Sequence, residues 1–169
     1  MTLGGAVNCA QLSLGGGASL SLAYRDFSVS VNIRRSSLQN GAAATLFSVG
    51  ADATLPFQYL QLGYTGDDRL FVSFGTTDGS SGTDERAATV ADRAFGDWVQ
   101  ITLTVASRAQ NPASPSRSIY RNGMVVVSDT LLVDDFRGGG LLSIGAASTS
   151  LANCVSMMQS LFDIDELYM

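Results

Sequence analysis

The chain has 169 residues, 46% of them hydrophobic, so it can bury one sizeable core and is too apolar to be disordered. Fifteen acidic residues against ten basic ones give a net charge of −5, which disfavours nucleic acids and anionic membranes as partners. All ten basic residues are arginine, and the absence of histidine and lysine removes the usual general base, the imidazole metal ligand and the Schiff-base amine.

The first half of the chain alternates apolar and polar residues with a period near two, a pattern that predicts short strands. The clearest example places Phe27, Val29, Val31 and Ile33 on one face. A Gly-Asp-Asp sequence at 66–68 predicts the turn of a hairpin. The strands predicted here are 6–14, 18–24, 26–35, 44–50, 57–65 and 69–77.

The second half continues the same pattern. Asn122 and Gly123 form a strong two-residue hairpin signal. The segments 78–86 and 108–117 are rich in turn residues and are predicted to be loops, where binding residues often lie but which are equally well explained as connectors. The strands predicted here are a weaker one at 87–92 and clearer ones at 95–105, 118–127, 141–145 and 162–169.

These elements together predict the fold class. Many short strands with turn signals at regular spacing indicate an all-β, two-sheet antiparallel sandwich. No segment has a useful helical apolar stripe, and no apolar run approaches the roughly 18 residues of a membrane helix, so membrane insertion is not expected. The whole chain, 1–169, is predicted to be a single domain.

Five short motifs occur in an order that resembles the laminin-G-like, or concanavalin A-like, jelly-roll domains. No single motif is specific, and the resemblance depends on their order along residues 6–169. It implies a jelly-roll sandwich, a fold that carries lectins, adhesion modules, glycosidases and inert spacers. The motifs are Phe27-Ser28-Val29-Ser30-Val31, Gly96-Asp97-Trp98-Val99, Tyr120-Arg121-Asn122-Gly123, Ile144-Gly145 and Ile164-Asp165-Glu166-Leu167.

The resemblance also bears on the two cysteines, Cys9 and Cys154. First and last strands are commonly neighbours in jelly rolls, so a disulfide between these positions is expected, and with it an oxidising, extracellular or cell-surface location. Such a bridge would close most of the chain and stabilise it by about 5 kcal/mol in the chain-entropy model. The alternative is two unrelated buried thiols.

Calcium is a further expectation from the resemblance. Many of these domains carry acidic residues in the loop after the first strand that contribute to a calcium site, but here that loop is 15–17, three glycines without a carboxylate. The expected Ca²⁺ ligands are therefore Asp165 and Asp163, one alternation away on the same face. The alternative is that these carboxylates only fix the closing strand through hydrogen bonds.

The segment 163–166 also invites comparison with glycosidases of this fold, whose paired carboxylates stand about 5 Å apart on one face. In those enzymes the active strand ends in a glutamate, whereas here that position is Leu167 or Tyr168. Glu166 is expected on the opposite face. The chain is therefore predicted not to be an enzyme, with a glycoside hydrolase or polysaccharide lyase as the least favoured alternative.

The residues expected to point into the core are Leu60, Leu62, Leu70, Val72, Phe74, Val99, Ile101 and Leu103. A ligand-binding face is predicted from the positions opposite them. Rings beside amides suit a sugar, because the rings stack on its apolar face and the amides bind its hydroxyls. The alternative is that loops cover these rings as a second small core. Arg69, Arg86 and Arg117 are considered as clamps for acidic sugars, but a solvated surface position is the favoured interpretation of each. The predicted ligand-binding residues are Tyr59, Gln61, Phe71, Trp98 and Gln100.

The favoured function is a non-catalytic extracellular module for recognition or adhesion, part of a larger protein, that binds a glycan or a protein surface. The alternative is a structural or assembly domain that packs against neighbouring domains or copies of itself. A charged fraction of only 15% favours this second hypothesis, since uncharged surface suits a protein interface.

Overall fold

The computed structural model describes residues 10–12, 20–22, 24–36, 41, 43–49, 60–75, 83–130, 139–140, 142–144 and 162–169. Cys9, Cys154 and Tyr59 lie outside the described residues, so the expected disulfide and the ligand role of Tyr59 stay predictions. No helix that could span a membrane occurs within the described part of the chain.

The described regular structure consists of β-strands, as the alternating pattern predicts. The strands are β1 (Ala10–Leu12), β2 (Leu20–Ser21), β3 (Phe27–Arg35), β4 (Ala44–Val49), β5 (Leu60–Tyr64), β6 (Leu70–Gly75), β7 (Thr83–Ala87), β8 (Trp98–Ala106), β9 (Ser116–Arg121), β10 (Met124–Thr130), β11 (Gly139–Gly140), β12 (Leu142–Ile144) and β13 (Phe162–Tyr168).

The strands form two large antiparallel sheets. One has six strands in the order β1-β12-β4-β5-β6-β7, and the other has five in the order β10-β9-β8-β3-β13. A separate two-stranded pair joins β11 to β2. The last strand returns beside the third, with Ile164 opposite Ile33. This arrangement confirms the predicted all-β jelly-roll sandwich with two antiparallel sheets.

The core lies between the two sheets and contains the residues that the alternation assigns to it. β3 and β8 alternate between buried and more exposed positions along most of their length. The expected core positions of β5, β6 and β8 are all buried; they are Leu60, Leu62, Leu70, Val72, Phe74, Val99, Ile101 and Leu103.

The sequence prediction is wrong around residue 87. The strand there is β7, Thr83–Ala87, whereas 87–92 was expected to be a strand and 78–86 a loop. β7 pairs with β6 from Phe71 opposite Ala87 to Gly75 opposite Thr83. Arg86 takes an inward-facing position beside Val72, so β7 lacks the apolar alternation that would have identified it.

The hairpin predicted at Asn122 and Gly123 is confirmed. Both residues have positive φ, 48° and 77°, as the two central residues of a type I′ turn require. The turn also folds onto β8, because the backbone N–H of Asn122 donates to the backbone carbonyl of Gln100 at 2.8 Å. The side-chain oxygen of Asn122 in return accepts from the backbone N–H of Gln100 at 2.8 Å.

Two polar clusters lie between the sheets. The Asp92 cluster contains Arg35, Tyr64, Asp68, Asp92 and Arg121. Arg35 is ion-paired with Asp68 and stacks on the Tyr64 ring at 4.2 Å. The Asp92 carboxylate accepts from the Tyr64 hydroxyl at 2.9 Å and from Arg121 Nε at 2.8 Å. Burial, and then the charge of Asp92, raise the pKa of Tyr64, so this hydroxyl stays a donor.

The Asp129 cluster contains Phe74, Arg86, Arg117 and Asp129. Arg117 has no exposed side-chain surface, and its Nε donates to Asp129 Oδ1 at 2.8 Å while its guanidinium lies 5.5 Å from the Phe74 ring centroid. Arg86 Nε reaches Asp129 Oδ2 at 2.6 Å. Because Arg86 is on β7 and Asp129 on β10, this pair joins the two sheets.

Candidate functional site

The predicted ligand-binding residues do not share one surface. Gln61 and Phe71 are on β5 and β6 of the six-stranded sheet, whereas Trp98 and Gln100 are on β8 of the five-stranded sheet. The expectation of a single platform is therefore wrong. Alternation separates inward from outward positions, but it does not say which of the two sheets a strand joins.

The outer side of the six-stranded sheet is covered around Phe71. The Phe71 side chain is only 2% exposed, and Thr45, Ser48 and Ser73 on the same side are also buried. Gly63 lies opposite Phe71, and a Cβ at Gly63 would stand 3.0 Å from the Phe71 ring. The alternative of covered aromatics thus describes Phe71, and this side gives a ligand little access.

The outer side of the five-stranded sheet, hereafter the open face, is accessible. Its first cross-strand row places Asp163, Arg34 and Trp98 side by side. Arg34 Nε donates to Asp163 Oδ2 at 2.9 Å, and the guanidinium lies 5.2 Å from the centre of the Trp98 ring. Trp98 is nevertheless 47% exposed, so much of the indole can still meet a ligand.

The second row of the open face is made of amides and carboxylates. Asp165, Asn32 and Gln100 lie opposite one another on β13, β3 and β8, and the turn residue Asn122 lies next to Gln100. A β-bulge follows Asp165, with Glu166 at a positive φ of 48°. The Glu166 carboxylate accepts from Asn32 Nδ2 at 3.0 Å.

The bulge corrects the expected position of Glu166. Strict alternation would turn this side chain away from Asp163 and Asp165, but the extra residue of the bulge brings its carboxylate onto the open face beside Asn32. The register after the bulge also places Tyr168 opposite Ser30, and its ring is more than half exposed. The open face therefore gains one carboxylate and one aromatic ring.

The remaining rows of the open face carry mainly small hydroxyl side chains. Ser30 and Thr102 are hydrogen-bonded at 2.8 Å, and Ser118 and Ser128 at 3.0 Å. Tyr120 is half-buried opposite Thr102. These serine and threonine side chains are bonded to each other and lie two or more rows away from Trp98.

The open face contains a shallow cavity of about 350 Å³. Trp98 and Val99 are its apolar lining residues, and the other four offer side-chain amides and a carboxylate that can donate hydrogen bonds to a ligand or accept them. Its lining residues are Asn32, Trp98, Val99, Gln100, Asn122 and Asp165.

Tyr168 interacts with two carboxylates, Glu166 and Asp165, on β13 at the edge of the open face. Its hydrogen bond to Glu166, followed by the charges of Glu166 and Asp165, raises the pKa of its hydroxyl. The phenol remains neutral at physiological pH and is a donor to Glu166. The edge of the cavity is consequently anionic.

The two carboxylates expected to bind calcium share the open face, as predicted. Asp163 is held in an ion pair by Arg34, and no group of three or more acidic residues suited to a metal occurs among the described residues. Calcium needs six to eight oxygen ligands, so Asp163 and Asp165 as arranged here fit the ion poorly. Calcium binding at this pair stays a prediction.

A second cavity of about 340 Å³ lies beside the Asp92 cluster. Its lining is mostly aliphatic, with Asp92 and Arg121 as the two charged members. Both charged groups are already engaged with each other, at 2.8 Å between Arg121 Nε and Asp92 Oδ2. The first cavity offers the more varied set of groups for a polar ligand.

Sequence reasoning missed three residues of the open face. Asn32 belongs to the most regular predicted strand, and its outward position was visible in the alternation, although its partners were not. Asn122 was predicted only as a turn residue, and its approach to Gln100 comes from the hairpin folding onto β8. Tyr168 carried no signal, because its direction depends on the bulge at Glu166.

No protein-family model and no curated protein sequence matches this chain. Solved structures do match. The CBM40 domain of the Ruminococcus gnavus IT-sialidase, bound to α2,3 sialyllactose, is 15% identical, with a TM-score of 0.57 over 86% of this chain and 83% of that one.

Two further matches come from animals. The heptameric SAP-like pentraxin of Limulus polyphemus is 13% identical, with a TM-score of 0.56 over 88% of this chain and 64% of that one. Domains LG4-5 of the mouse laminin α1 chain are 15% identical, with a TM-score of 0.53 over 99% of this chain and 43% of that one. The chain therefore has the concanavalin A-like jelly-roll fold found in these lectin-type and laminin G domains.

Proposed function

We propose that this domain is a non-catalytic recognition module that binds a glycan on the open face, in the cavity beside Trp98. The observation that carries the proposal is the half-exposed indole of Trp98 next to Asn32, Gln100 and Asn122. The indole stacks on the apolar face of a sugar ring, while the amides exchange hydrogen bonds with its hydroxyls. These groups lie on strands and in a tight turn, so the protein loses little conformational entropy when a ligand binds.

The likeness to known structures supports this proposal at the level of the fold. A carbohydrate-binding module solved with a bound sialyllactose and the laminin G domains share the sandwich. An extracellular or cell-surface location, as part of a larger protein, belongs to the same proposal. The absence of histidine and the ion pair that occupies Asp163 favour binding without catalysis.

The contribution of Trp98 can be worked out from its exposure. With 47% of the residue exposed and a Trp surface of about 250 Å², about 120 Å² faces water. A sugar that covers half of this area removes about 60 Å², which at 25 cal/mol per Å² is about 1.5 kcal/mol. We therefore expect Trp98→Ala to weaken glycan binding about tenfold.

The test is a glycan array followed by calorimetry with the best glycan, with and without a calcium chelator. Phe95→Ala is the matched control, because Phe95 is 58% exposed but lines neither described cavity. Loss with Trp98→Ala and retention with Phe95→Ala supports the proposal. An array with no response, or equal affinity for both variants, contradicts it, and loss of binding on chelation would support calcium.

One observation favours the alternative of an assembly domain. Met124 and Val125 are 66% and 55% exposed, and they lie on β10, the outermost described strand of the five-stranded sheet. Exposed apolar residues on such a strand suit pairing with a neighbouring domain. Light scattering after size exclusion distinguishes the two functions, since self-association that Met124→Ser weakens supports assembly.

A further inference from the structure

We infer that the cavity on the open face selects glycans without an anionic group and discriminates against sialylated or sulfated ones. This inference rests on the proposed function and narrows its ligand class. It follows from the charges around Trp98. Stacking on the indole alone would accept any sugar ring, whatever its charge.

Two carboxylates, those of Asp165 and Glu166, lie at the cavity. Asp165 lines it directly, and the bulge brings the Glu166 carboxylate to 3.0 Å from Nδ2 of Asn32, another lining residue. Both carboxylates are exposed. Among the described residues that line this cavity, none is basic. Among the described residues at the cavity, an anionic sugar substituent would therefore face two negative charges.

Arg34 is an arginine that lies beside the cavity, over Trp98. Arg34 donates to Asp163 through two nitrogens, with Nε at 2.9 Å, and its guanidinium lies over the Trp98 ring at 5.2 Å. Its charge is already balanced by Asp163, and it does not line the cavity. A second anion would have to compete with a carboxylate that is held in place by the sheet.

The three arginines considered as clamps for acidic sugars lie away from the open face. Arg117 is fully buried in the Asp129 cluster, so that expectation is wrong for it. Arg86 is bound to the same carboxylate between the sheets, and Arg69 pairs with Asp67 at the β5–β6 turn. None of the three belongs to the open face.

The remaining groups suit a neutral sugar. Asparagine and glutamine side chains both donate and accept, and the carboxylate of Asp165 can accept from two adjacent hydroxyls. Like charges brought together at an interface oppose binding strongly enough to exclude a partner, and salt weakens this effect for exposed groups. Discrimination against anions should therefore be greatest at low salt.

The experiment uses glycan pairs in which the anionic member differs from a neutral one by an acidic sugar or by a sulfate group. Lactose is compared with 3′-sialyllactose and with 3′-sulfated lactose on one array and then by calorimetry at low and high salt. We expect the neutral member of a bound pair to bind about tenfold more tightly at low salt, with the ratio falling at high salt. The double variant Asp165→Asn, Glu166→Gln should reduce the ratio to about threefold or less.

The outcomes separate this inference from the proposed function. Binding that depends on Trp98 and prefers the sialylated or sulfated member leaves the proposed function intact and overturns the neutral class. An unchanged ratio in the double variant also overturns it, because the two carboxylates would not be its cause. Absence of binding to every glycan refutes the proposed function and this inference together.

Discussion

The Asp129 cluster gives the most direct test of how charge inside the sandwich stabilises it. The substitution Asp129→Asn keeps the size of the side chain but removes the carboxylate that both Arg86 and Arg117 contact. The guanidinium of Arg117, which has no exposed side-chain surface, then keeps its charge in the interior without this counter-ion. Asn also turns an amide donor toward one of the two arginines.

The expected cost follows from burial. Removing one partner of a buried ion pair costs about 3–5 kcal/mol, because the other charge stays desolvated. The Asp129 side chain is 25% exposed, which gives water some access and places the expectation near 3 kcal/mol. At about 2–4 °C per kcal/mol for a domain of this size, the Tm should fall by about 6–12 °C.

The matched control is Asp163→Asn, which removes the carboxylate of a cross-strand arginine pair in the same sheet. That pair lies on the open face, with Arg34 45% exposed, so the loss should be about 0–1 kcal/mol. Free energies of unfolding from urea titrations, followed by far-UV circular dichroism, give both values. Equal costs for the two variants would refute the idea that burial of Arg117 makes its pair important.

Two further predictions concern the pH dependence of stability and the substitution of two glycines. The pKa of Asp129 is raised by partial burial but lowered more by Arg117 and Arg86, and hydrogen bonds from Asn111 and Thr65 lower those of Asp26 and Asp67. Because these pKa values are lower in the folded state, the carboxylates stabilise the fold above about pH 4 and lose that contribution as the pH falls; a urea midpoint that stayed constant into more acidic solutions would contradict this. Gly63→Ala should cost about 3 kcal/mol or more in the same titrations, because its Cβ would stand 2.1 Å from the Ala44 carbonyl oxygen. Gly96→Ala, which meets only open space but has a φ of +87°, should cost about 1–2 kcal/mol, and a larger loss there than at Gly63 would contradict the steric reason.

The sequence was sufficient for the fold class and for the in-or-out position of most strand residues. Apolar alternation depends on burial, and burial applies equally to either sheet, so Val29, Val72 and Leu103 are assigned to the core correctly. The turn at Asn122 and Gly123 was also readable, because only a few residue types tolerate positive φ.

The candidate site was only partly predictable, for two physical reasons. The sheet to which a strand belongs depends on long-range pairing, so Phe71 and Trp98 were wrongly placed on one platform. Local backbone irregularity was also invisible, because a bulge such as that at Glu166 arises from the fit between β13 and β3. Buried charge was missed as well, since Arg86 and Arg117 look like surface residues in a one-dimensional pattern.

The two polar clusters have a consequence for how the sheets are aligned. Arg117 and Arg121, four residues or roughly 13 Å apart on β9, belong to different clusters. Each cluster also has an ion pair that joins the two sheets, Arg86 with Asp129 in one and Arg35 with Asp68 in the other. Apolar contacts alone are non-directional and would tolerate sliding of one sheet over the other. A slip of one residue, about 3.3 Å, would separate guanidinium groups from carboxylates at both ends at once and leave charges stranded in the interior. The two clusters thus permit only one relative position of the two sheets. They thereby fix the orientation of the open face relative to the six-stranded sheet.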